Sequence, residues 1–499
     1  MESPLRTLNL SVAASSHIVS GAAVLIACWA ARAIYHLYFS PLRHIPGPFL
    51  NSVSWLPWYQ YWFSGYLHRR VLQLHEHYGP VVRIGPSEVS FIDRSAWTDI
   101  YSLKRSRQIE RDPKSFPALT PNGAKFDLLT YSPTDHAKYR KVLNPFFSDK
   151  TTKEYEPNIH EHVDNMIALL SNQVQNGQDR INVTKWLQWL TFDMVTDVCW
   201  GESFECVSKR ESHPCLALSM DMVSMSCFIV FVAWWTALKE FLVKISGVEA
   251  LFINLVRSKC ESSTRAESEK ASLYSKLRQA GDPLNQAELD GNLTAVVIAG
   301  SETTGFALTA TSYYLAMNPD CFRKVAAEVR GKFASPDEIN DTALKQLPYL
   351  KATINEALRM TPAEPNGLAR KVVVNGLDIA GKYIPKNTAI YVSQFAANRC
   401  SSYFHLADEF HPERWLGDAP FQHDNLEVVQ PFLMGVNVCI GRSLAWMEMR
   451  VTLAKLLWHF DWTIQGNDGN AFRESKAWHV WIKSDVYLTF RQRDVLSAA

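Results

Sequence analysis

One cysteine near the C-terminal end constrains this chain more than any other residue. Cys439 lies in the run Phe432-Leu-Met-Gly435-Val-Asn-Val-Cys439-Ile-Gly441, with one glycine four residues before it and another two after it. Beyond it Leu444, Met447, Val451, Leu453, Ala454 and Leu457 recur at spacings near three and four, which predicts a helix. The sulfur is therefore expected on a glycine-shaped loop that feeds a helix N-terminus. The positive end of a helix favours a thiolate over a thiol. A thiolate held this way is a soft ligand for iron, including haem iron. The plain alternative is a packed, inert cysteine, the common fate of free cysteines.

Three other stretches carry polar groups in patterns that need an explanation. Ala299-Gly-Ser-Glu302-Thr303-Thr304 sits inside the mostly apolar stretch Leu293 to Leu315, which predicts a buried helix. Two hydroxyls and a carboxylate there are costly unless hydrogen-bonded. A threonine hydroxyl can bond the carbonyl one turn back, and Gly300 lets the helix open locally, making a notch for water or dioxygen. A satisfied polar patch on a core helix is the competing account. Glu356 and Arg359 stand at i and i+3 on one helix face, with Pro412-Glu-Arg414 further on. Alone, such a pair is often a surface ion pair of little worth. His136 and Arg140 in Asp135-His136-Ala-Lys-Tyr-Arg140-Lys141 are four apart and face the same way, so together they can hold a pair of carboxylates. The alternative there is a solvated basic face.

Phe432, Gly435, Cys439 and Gly441 resemble the haem-binding signature of the cytochrome P450 superfamily: Phe, two residues, Gly, one residue, Arg, one residue, Cys, one residue, Gly. Position 437 departs, with Asn437 where the family usually has an arginine that pairs with a haem propionate. Losing that charge-assisted bond costs roughly 1.5–3 kcal/mol of haem affinity unless other groups cover it. The resemblance implies roles for the other stretches. Thr303 would steady bound oxygen and Glu302 would relay protons, with Thr304 as support. Glu356, Arg359 and Arg414 would form a buried network behind the haem loop. His136, Arg140 and Arg370 would contact the haem propionates and compensate for Asn437. The pieces stand in the family's order, and the resemblance covers about Pro41 to the C-terminus. Short motifs have real false-positive rates, but four in order over some three hundred residues are hard to reach by coincidence. The spelling of Val81 to Val89 and of Trp200 to Phe204 resembles fungal members.

The chain has 499 residues, 47% of them hydrophobic and 20% charged, ample for a large core. No repeat, low-complexity tract or Gly/Ser-rich linker divides it, so one large domain is expected over 41–499, preceded by a membrane anchor at 1–40. A net charge of +1 and the lack of a basic patch or nucleic-acid motif give no sign of a nucleic-acid partner. Nine cysteines without a Cys-x-x-Cys pair do not indicate zinc. Cys199, Cys227 and Cys321, among apolar neighbours, read as packing in a reducing compartment.

From Leu10 to Ala31 there is no charge, and Arg32 stands at the end. That stretch is long enough for a spanning helix of roughly 20 residues, and the charge bias places the body in the cytosol. A cleaved signal peptide with Gly21 to Ala30 as its apolar core is the alternative. The resemblance implies an uncleaved, single-pass anchor in the endoplasmic reticulum. A second apolar stretch, Met222 to Leu238, ends in Ala233-Trp-Trp235. It is expected either as a lid dipping into the membrane surface at a hydrophobic substrate entrance, or as ordinary core helix. The fold class expected is mainly α with a small β region, the cytochrome P450 fold. Strands are predicted at Val81–Ile84, Val89–Ile92, Val372–Val374 and Ala389–Val392, with a late pair near Trp478–Trp481 and Val486–Phe490.

The resemblance implies haem b with Cys439 as axial thiolate, and insertion of one oxygen atom into a C–H or C=C bond. The chain has no Gly-rich dinucleotide fingerprint and no flavin segment. Electrons would therefore come from NADPH through a separate cytochrome P450 reductase, docking near Lys138 and Lys141. Family analogy places the substrate walls at Phe116 to Leu129, Val297 and Ile298, Ala363 to Leu368, and near Trp478, for a lipophilic terpenoid, polyketide or alkaloid. Two rivals stand beside this expectation. One is a haem-thiolate isomerase or dehydratase that does not use dioxygen, against which Glu302-Thr303 argues. The other is a non-catalytic haem sensor.

Overall fold

The computed structural model describes residues 20–493, apart from 22, 25, 113–127, 130–131, 219–227, 229, 233–253, 255–257, 259–271 and 282–283. Its body is helical, with three small sheets. The principal helices are labelled α1 (Leu67–Tyr78), α2 (Pro133–Leu143), α3 (Glu156–Gln175), α4 (Val183–Trp200), α5 (Gln286–Met317), α6 (Pro319–Lys332), α7 (Pro348–Met360), α8 (Gln394–Arg399) and α9 (Arg442–His459).

Helix α5 organises the rest. A capping box starts it: Asn285 accepts from the Glu288 N–H while the Glu288 carboxylate accepts from the Asn285 N–H. Among the described residues it is the one helix long and apolar enough to cross a membrane, but 72% of that stretch is buried within the protein. It is the core helix of the domain. The notch expected at Gly300 is not found as a break, since α5 runs unbroken through it. Gly300 serves packing instead. A Cβ there would come within 2.8 Å of the Val195 side chain on α4, and one at Gly305 within 2.8 Å of Thr191 Oγ1. Close approach lets Thr191 donate to the Ser301 carbonyl at 2.9 Å. Helix α9 packs against α3, α5 and α6, which seats the start of α9 and the loop before it on the core.

The largest sheet runs β1 (Val81–Gly85), β2 (Glu88–Phe91), β8 (Ala389–Val392), β5 (Arg370–Val372), β3 (Ile109–Arg111). Only β2–β8 is parallel. A second sheet joins β4 (Arg180–Asn182), β10 (Tyr487–Gln492) and β9 (Phe460–Thr463), and β6 (Gly376–Ile379) pairs with β7 (Lys382–Pro385). The predicted strands at 81, 89 and 389 are found, and the one at 372–374 lies two residues earlier. The predicted late pair is corrected: β10 pairs with β4 and β9, and near Trp478 there is only an isolated bridge between Ala477 and Trp481. The two indoles there act as anchors. Trp478 Nε1 donates to the Trp62 carbonyl and Trp481 Nε1 to the Pro362 carbonyl.

Of the predicted anchor, residues 1–19, 22 and 25 lie outside the described residues; those described between 20 and 34 are helical. The stretch Met222–Leu238 is described only at Phe228 and Val230–Val232, so Trp234 and Trp235 lie outside. Phe228 and Phe231 pack against Phe63, and Phe231 also against Tyr59.

Candidate active site

The Cys439 loop is fixed by its backbone. The Cys439 N–H donates to the Phe432 carbonyl at 2.8 Å, closing the loop. Gly435 has φ +69°, and a Cβ there would lie 1.8 Å from the Tyr101 carbonyl oxygen, so glycine is required on two counts. The Phe432 ring packs against Trp446. Gly441 is the residue before α9, as the sequence predicts. The thiol does not behave as a helix N-terminus alone would dictate. Burial pushes the Cys439 thiol up, and the Gly441 backbone with the Arg140 and Arg442 guanidiniums offsets only part of that. The thiolate needs a metal, which deprotonates a coordinating thiol outright.

On α5, the Thr303 hydroxyl donates to the Ala299 carbonyl one turn back, at 2.7 Å. Glu302 is buried and forms an ion pair with Lys483, Nζ to Oε2 2.5 Å, both side chains under a tenth exposed. Thr304 is buried and hydrogen-bonds Glu448 on α9; burial raises the Glu448 carboxyl to about 8. Thr304 thus ties α5 to α9, a support role.

A basic cluster stands beside the loop. Arg140 on α2 donates to the Val438 carbonyl at 2.9 Å. Arg370 on β5 is buried over the Tyr101 ring, and its Nη2 has no hydrogen-bond partner among the described residues. His136 is held down to about 3 by burial and by the charges of Arg111, Arg140 and Arg370, so it is a neutral imidazole. Arg111 was not predicted. Its Nε and Nη2 donate to Asn437 Oδ1 at 3.1 and 2.8 Å.

The predicted network is assembled completely and buried. Arg359 grips Glu356 through Nε (2.9 Å) and Nη2 (2.8 Å), while Arg414 Nε donates to Oε1 at 2.8 Å. The Trp415 indole and the His411 N–H complete the carboxylate's shell. All three charged side chains are 0% exposed. Burial alone would raise the Glu356 carboxyl, and the Arg359 and Arg414 guanidiniums overcome it and hold it low. Arg359 also donates to the carbonyls of Asn398, Ala407 and Glu409, which fixes the segment leading to the haem loop.

Of the predicted substrate walls, 116–127 lie outside the described residues. Val297 is buried and Ile298 half-buried on α5. The wall at 363–368 brings a pair that sequence reasoning missed: Glu364 lies 3.9 Å from His479. Burial drives the Glu364 carboxyl well up and His479 down to about 4, so both are neutral. On the basic face expected for docking, Lys138 is paired with Glu288 at 2.5 Å and keeps about half its side chain exposed.

A loop-borne cysteine before a helix, an acid–threonine pair on the core helix, and a buried Glu–Arg–Arg network define a haem-thiolate class of protein. Comparison with known proteins agrees. The family described as Cytochrome P450 matches residues 46–490, and the chain belongs to that family. It is 70% identical over 480 residues to the cytochrome P450 monooxygenase sdnF of Sordaria araneosa, covering 93% of this chain and 92% of that one. It is 34% identical to the versicolorin B desaturase stcL of Emericella nidulans (92% and 95% covered). It is 32% identical to a trichothecene C-15 hydroxylase of Fusarium sporotrichioides (91% and 94% covered). The family implies a haem with thiolate ligation and a separate redox partner, and the residues present fit that group. Cys439 keeps accessible surface on a half-buried loop, and cationic donors gather beside it. The buried Arg370 Nη2 is a donor suited to an anion.

Proposed function

We propose that this cytochrome P450 monooxygenase inserts one oxygen atom of dioxygen into a lipophilic small molecule of fungal secondary metabolism, by hydroxylation or epoxidation. The observation that carries this reading is the Glu302–Thr303 pair on α5, in one chain with the Cys439 loop. An isomerase or a sensor has no need of a proton relay. Haem b would supply the activation of dioxygen. Cys439 would hold it through its thiolate, and His136, Arg140 and Arg370 would hold its propionates. Thr303 Oγ1 gives its own proton to the Ala299 carbonyl, so its lone pairs are left to accept from water or a bound hydroxyl. Glu302 would take up and release a proton at its carboxylate, with Lys483 balancing the charge.

NADPH would supply the electrons through a separate cytochrome P450 reductase, docking near the face that carries Lys138 and Lys141. The substrate class is a terpenoid, polyketide or alkaloid intermediate; the sdnF relative and the desaturase and hydroxylase names support small-molecule oxidation. The domain plan is an anchor at 1–40 and a catalytic domain at 41–499, with single-pass residence in the endoplasmic reticulum membrane and the catalytic domain in the cytosol. The uncharged run Leu10–Ala31, Arg32 after it, and a family match starting at residue 46 support that plan.

The test is turnover with reductase, NADPH and ¹⁸O₂ on a panel of terpenoids and polyketides. One ¹⁸O atom per product is expected. Desaturated product without label would favour a desaturase outcome, the second reading that the versicolorin B desaturase relatives support. Isomerised product with no NADPH consumed would sink both. In the same assay Thr303→Ala is expected to divert electrons to hydrogen peroxide, and Lys483→Met to lower product per NADPH by about tenfold or more. Unchanged coupling in both variants would remove the relay assigned to this pair.

A further inference from the structure

The turn at 362–367 carries a carboxyl group that the fold leaves with an unbonded oxygen. We propose that Glu364 is a specificity-determining residue that hydrogen-bonds an oxygen function of the substrate, so that the substrate is a lipophile already bearing a hydroxyl or carbonyl group. This rests on the monooxygenase reading above and deepens it.

The backbone around Glu364 is pinned. The Pro362 carbonyl accepts from the Trp481 indole at 2.7 Å and the Pro365 carbonyl from the Phe395 N–H at 3.0 Å, while Asn366 Nδ2 donates to the Trp478 carbonyl. Gly367 has φ +85°, and a Cβ there would lie 2.1 Å from the Val392 carbonyl oxygen. The turn therefore has little freedom to shift toward a partner for Glu364. Glu364 Oε1 is buried and has no hydrogen-bond partner among the described residues. His479 Nδ1, 3.9 Å from it, is beyond hydrogen-bonding distance. A buried carboxyl oxygen left unpaired is costly. A rigid wall that keeps one is suited to a partner arriving from outside the chain.

The surroundings indicate what that partner is. The Glu364 and His479 side chains each keep 15% of their surface accessible, yet burial drives the Glu364 carboxyl well up. The accessible surface thus faces a void within the protein, and the protonated acid there can donate as well as accept. His479 and Asn366 line a cavity of about 350 Å³ together with Trp58, Trp62 and Val230. An apolar wall with a few fixed polar groups is the usual make-up of a small-molecule site. Asn366 Oδ1 is a second buried oxygen without a hydrogen-bond partner among the described residues. A hydroxyl or a carbonyl can accept from the Glu364 acid, and a hydroxyl can donate in return. One loop ties this wall to the acid–threonine pair: His479 stands beside Glu364, and Lys483, four residues on, pairs with Glu302. Four residues span at most about 14 Å, within the length of a fused-ring skeleton.

The test titrates the full-length holoprotein with shape-matched ligands and follows the haem Soret band. One set is dehydroabietane, dehydroabietinol and dehydroabietylamine; the other is fluorene, fluorenol and fluorenone. The ratio of oxygenated-ligand to hydrocarbon affinity is compared between parent and variants, so that differences in water solubility cancel. In Glu364→Leu that ratio is expected to fall about tenfold or more, and in Glu364→Gln, which keeps a donor and an acceptor, to stay within about threefold of the parent. The urea midpoint of Glu364→Leu should equal or exceed the parent's, because an unpaired acid adds nothing to the fold. A lower midpoint makes Glu364 a structural residue and overturns the inference. An unchanged ratio in Glu364→Leu overturns it, as does a parent that binds none of the oxygenated ligands. So does an amine that binds more tightly than the alcohol and loses that advantage in Glu364→Gln, since Glu364 would then be a carboxylate that takes a cation. The reduced carbon monoxide band is recorded in parallel. Loss of its red shift in the parent sinks the monooxygenase reading, whereas a normal band with an unchanged ratio sinks the role of Glu364 alone.

Discussion

Replacing Glu356 with Gln is expected to cost about 3–5 kcal/mol of stability, the range seen when one member of a buried ion network is removed. The size follows from what is left behind. Arg359 and Arg414 are both fully buried, and each gives Glu356 a charge-assisted hydrogen bond. Gln is close in shape but carries no charge, so two guanidiniums would share a neutral partner in a site without solvent. Arg414 retains Asp424, but among the described residues Arg359 forms an ion pair with Glu356 alone. The damage should spread to the segment before the haem loop, because Arg359 holds three of its carbonyls. The check is the urea midpoint together with the yield of haem-loaded protein. An unchanged midpoint would mean that the network is dispensable. A surface pair is the control: Glu154→Gln, opposite Lys276, should leave the midpoint unchanged within error.

The same network gives acid stability a sign. The folded-state pKa of Glu356 is held below its unfolded value. Its contribution is therefore complete above the ordinary glutamate value of about 4.3 and is lost as pH falls through the lower folded value. The parent should lose stability on acidification below about pH 4.3, and Glu356→Gln should show a shallower loss over that window. Equal slopes would assign acid unfolding to other carboxylates.

What sequence made legible was local or ordered. The α9 helix could be read from its apolar spacing and α5 from its long apolar run. The Thr303 hydroxyl found the carbonyl one turn back, because that bond depends on helix geometry alone. Glu356 and Arg359 were legible as a helix pair from their spacing, but their burial with Arg414 followed only from the family resemblance, since it depends on Asn398, Ala407 and Glu409 folding over Arg359. Arg111 and Lys483 were invisible for a related reason. The departure at 437 says that a cation is missing, yet nothing local selects one among 51 Lys and Arg residues. Only the β3–β5 register brings Arg111 to the loop, and only the C-terminal segment brings Lys483 to Glu302. The partner of Lys138 was hidden because Glu288 lies 150 residues away at the start of α5. The short strands β3, β4 and β9, of three or four residues, carry too little alternation to be seen. Trp478 and Trp481 imitated a strand because aromatic residues favour sheets, but here the indole N–H groups pin loops instead.

Replacing Cys439 with Ala is expected to abolish the strongly red-shifted Soret band of the reduced carbon monoxide complex, in membranes from yeast expressing the protein. The parent should show that band despite Asn437. Several cysteines compete for the ligand role on composition alone, and the structure separates them. Cys199, Cys206, Cys215, Cys321 and Cys400 are buried, whereas Cys439 keeps accessible surface; Cys28 is exposed as well, but it stands in the N-terminal helix, outside the matched region 46–490. Burial pushes the Cys206 and Cys321 thiols up to about 12 and about 11, and no metal-ligating group of three or more stands near any described cysteine. Cys439 differs in having the Gly441 backbone, Arg140 and Arg442 all acting to favour its charged form, with no carboxylate against it, and only desolvation by the surrounding protein disfavours that form, although the sulfur keeps some accessible surface. That opposition leaves iron as the deciding term, since coordination deprotonates the thiol regardless of its metal-free preference. Cys321→Ala should therefore keep the band at full height, while Cys439→Ala should lose it even where some haem is retained through the propionate cluster. A red-shifted band that survives in Cys439→Ala would place the thiolate elsewhere and dismantle the site. A band at the position of a neutral-ligand haem in the parent would mean that the loop does not deliver its sulfur to the iron.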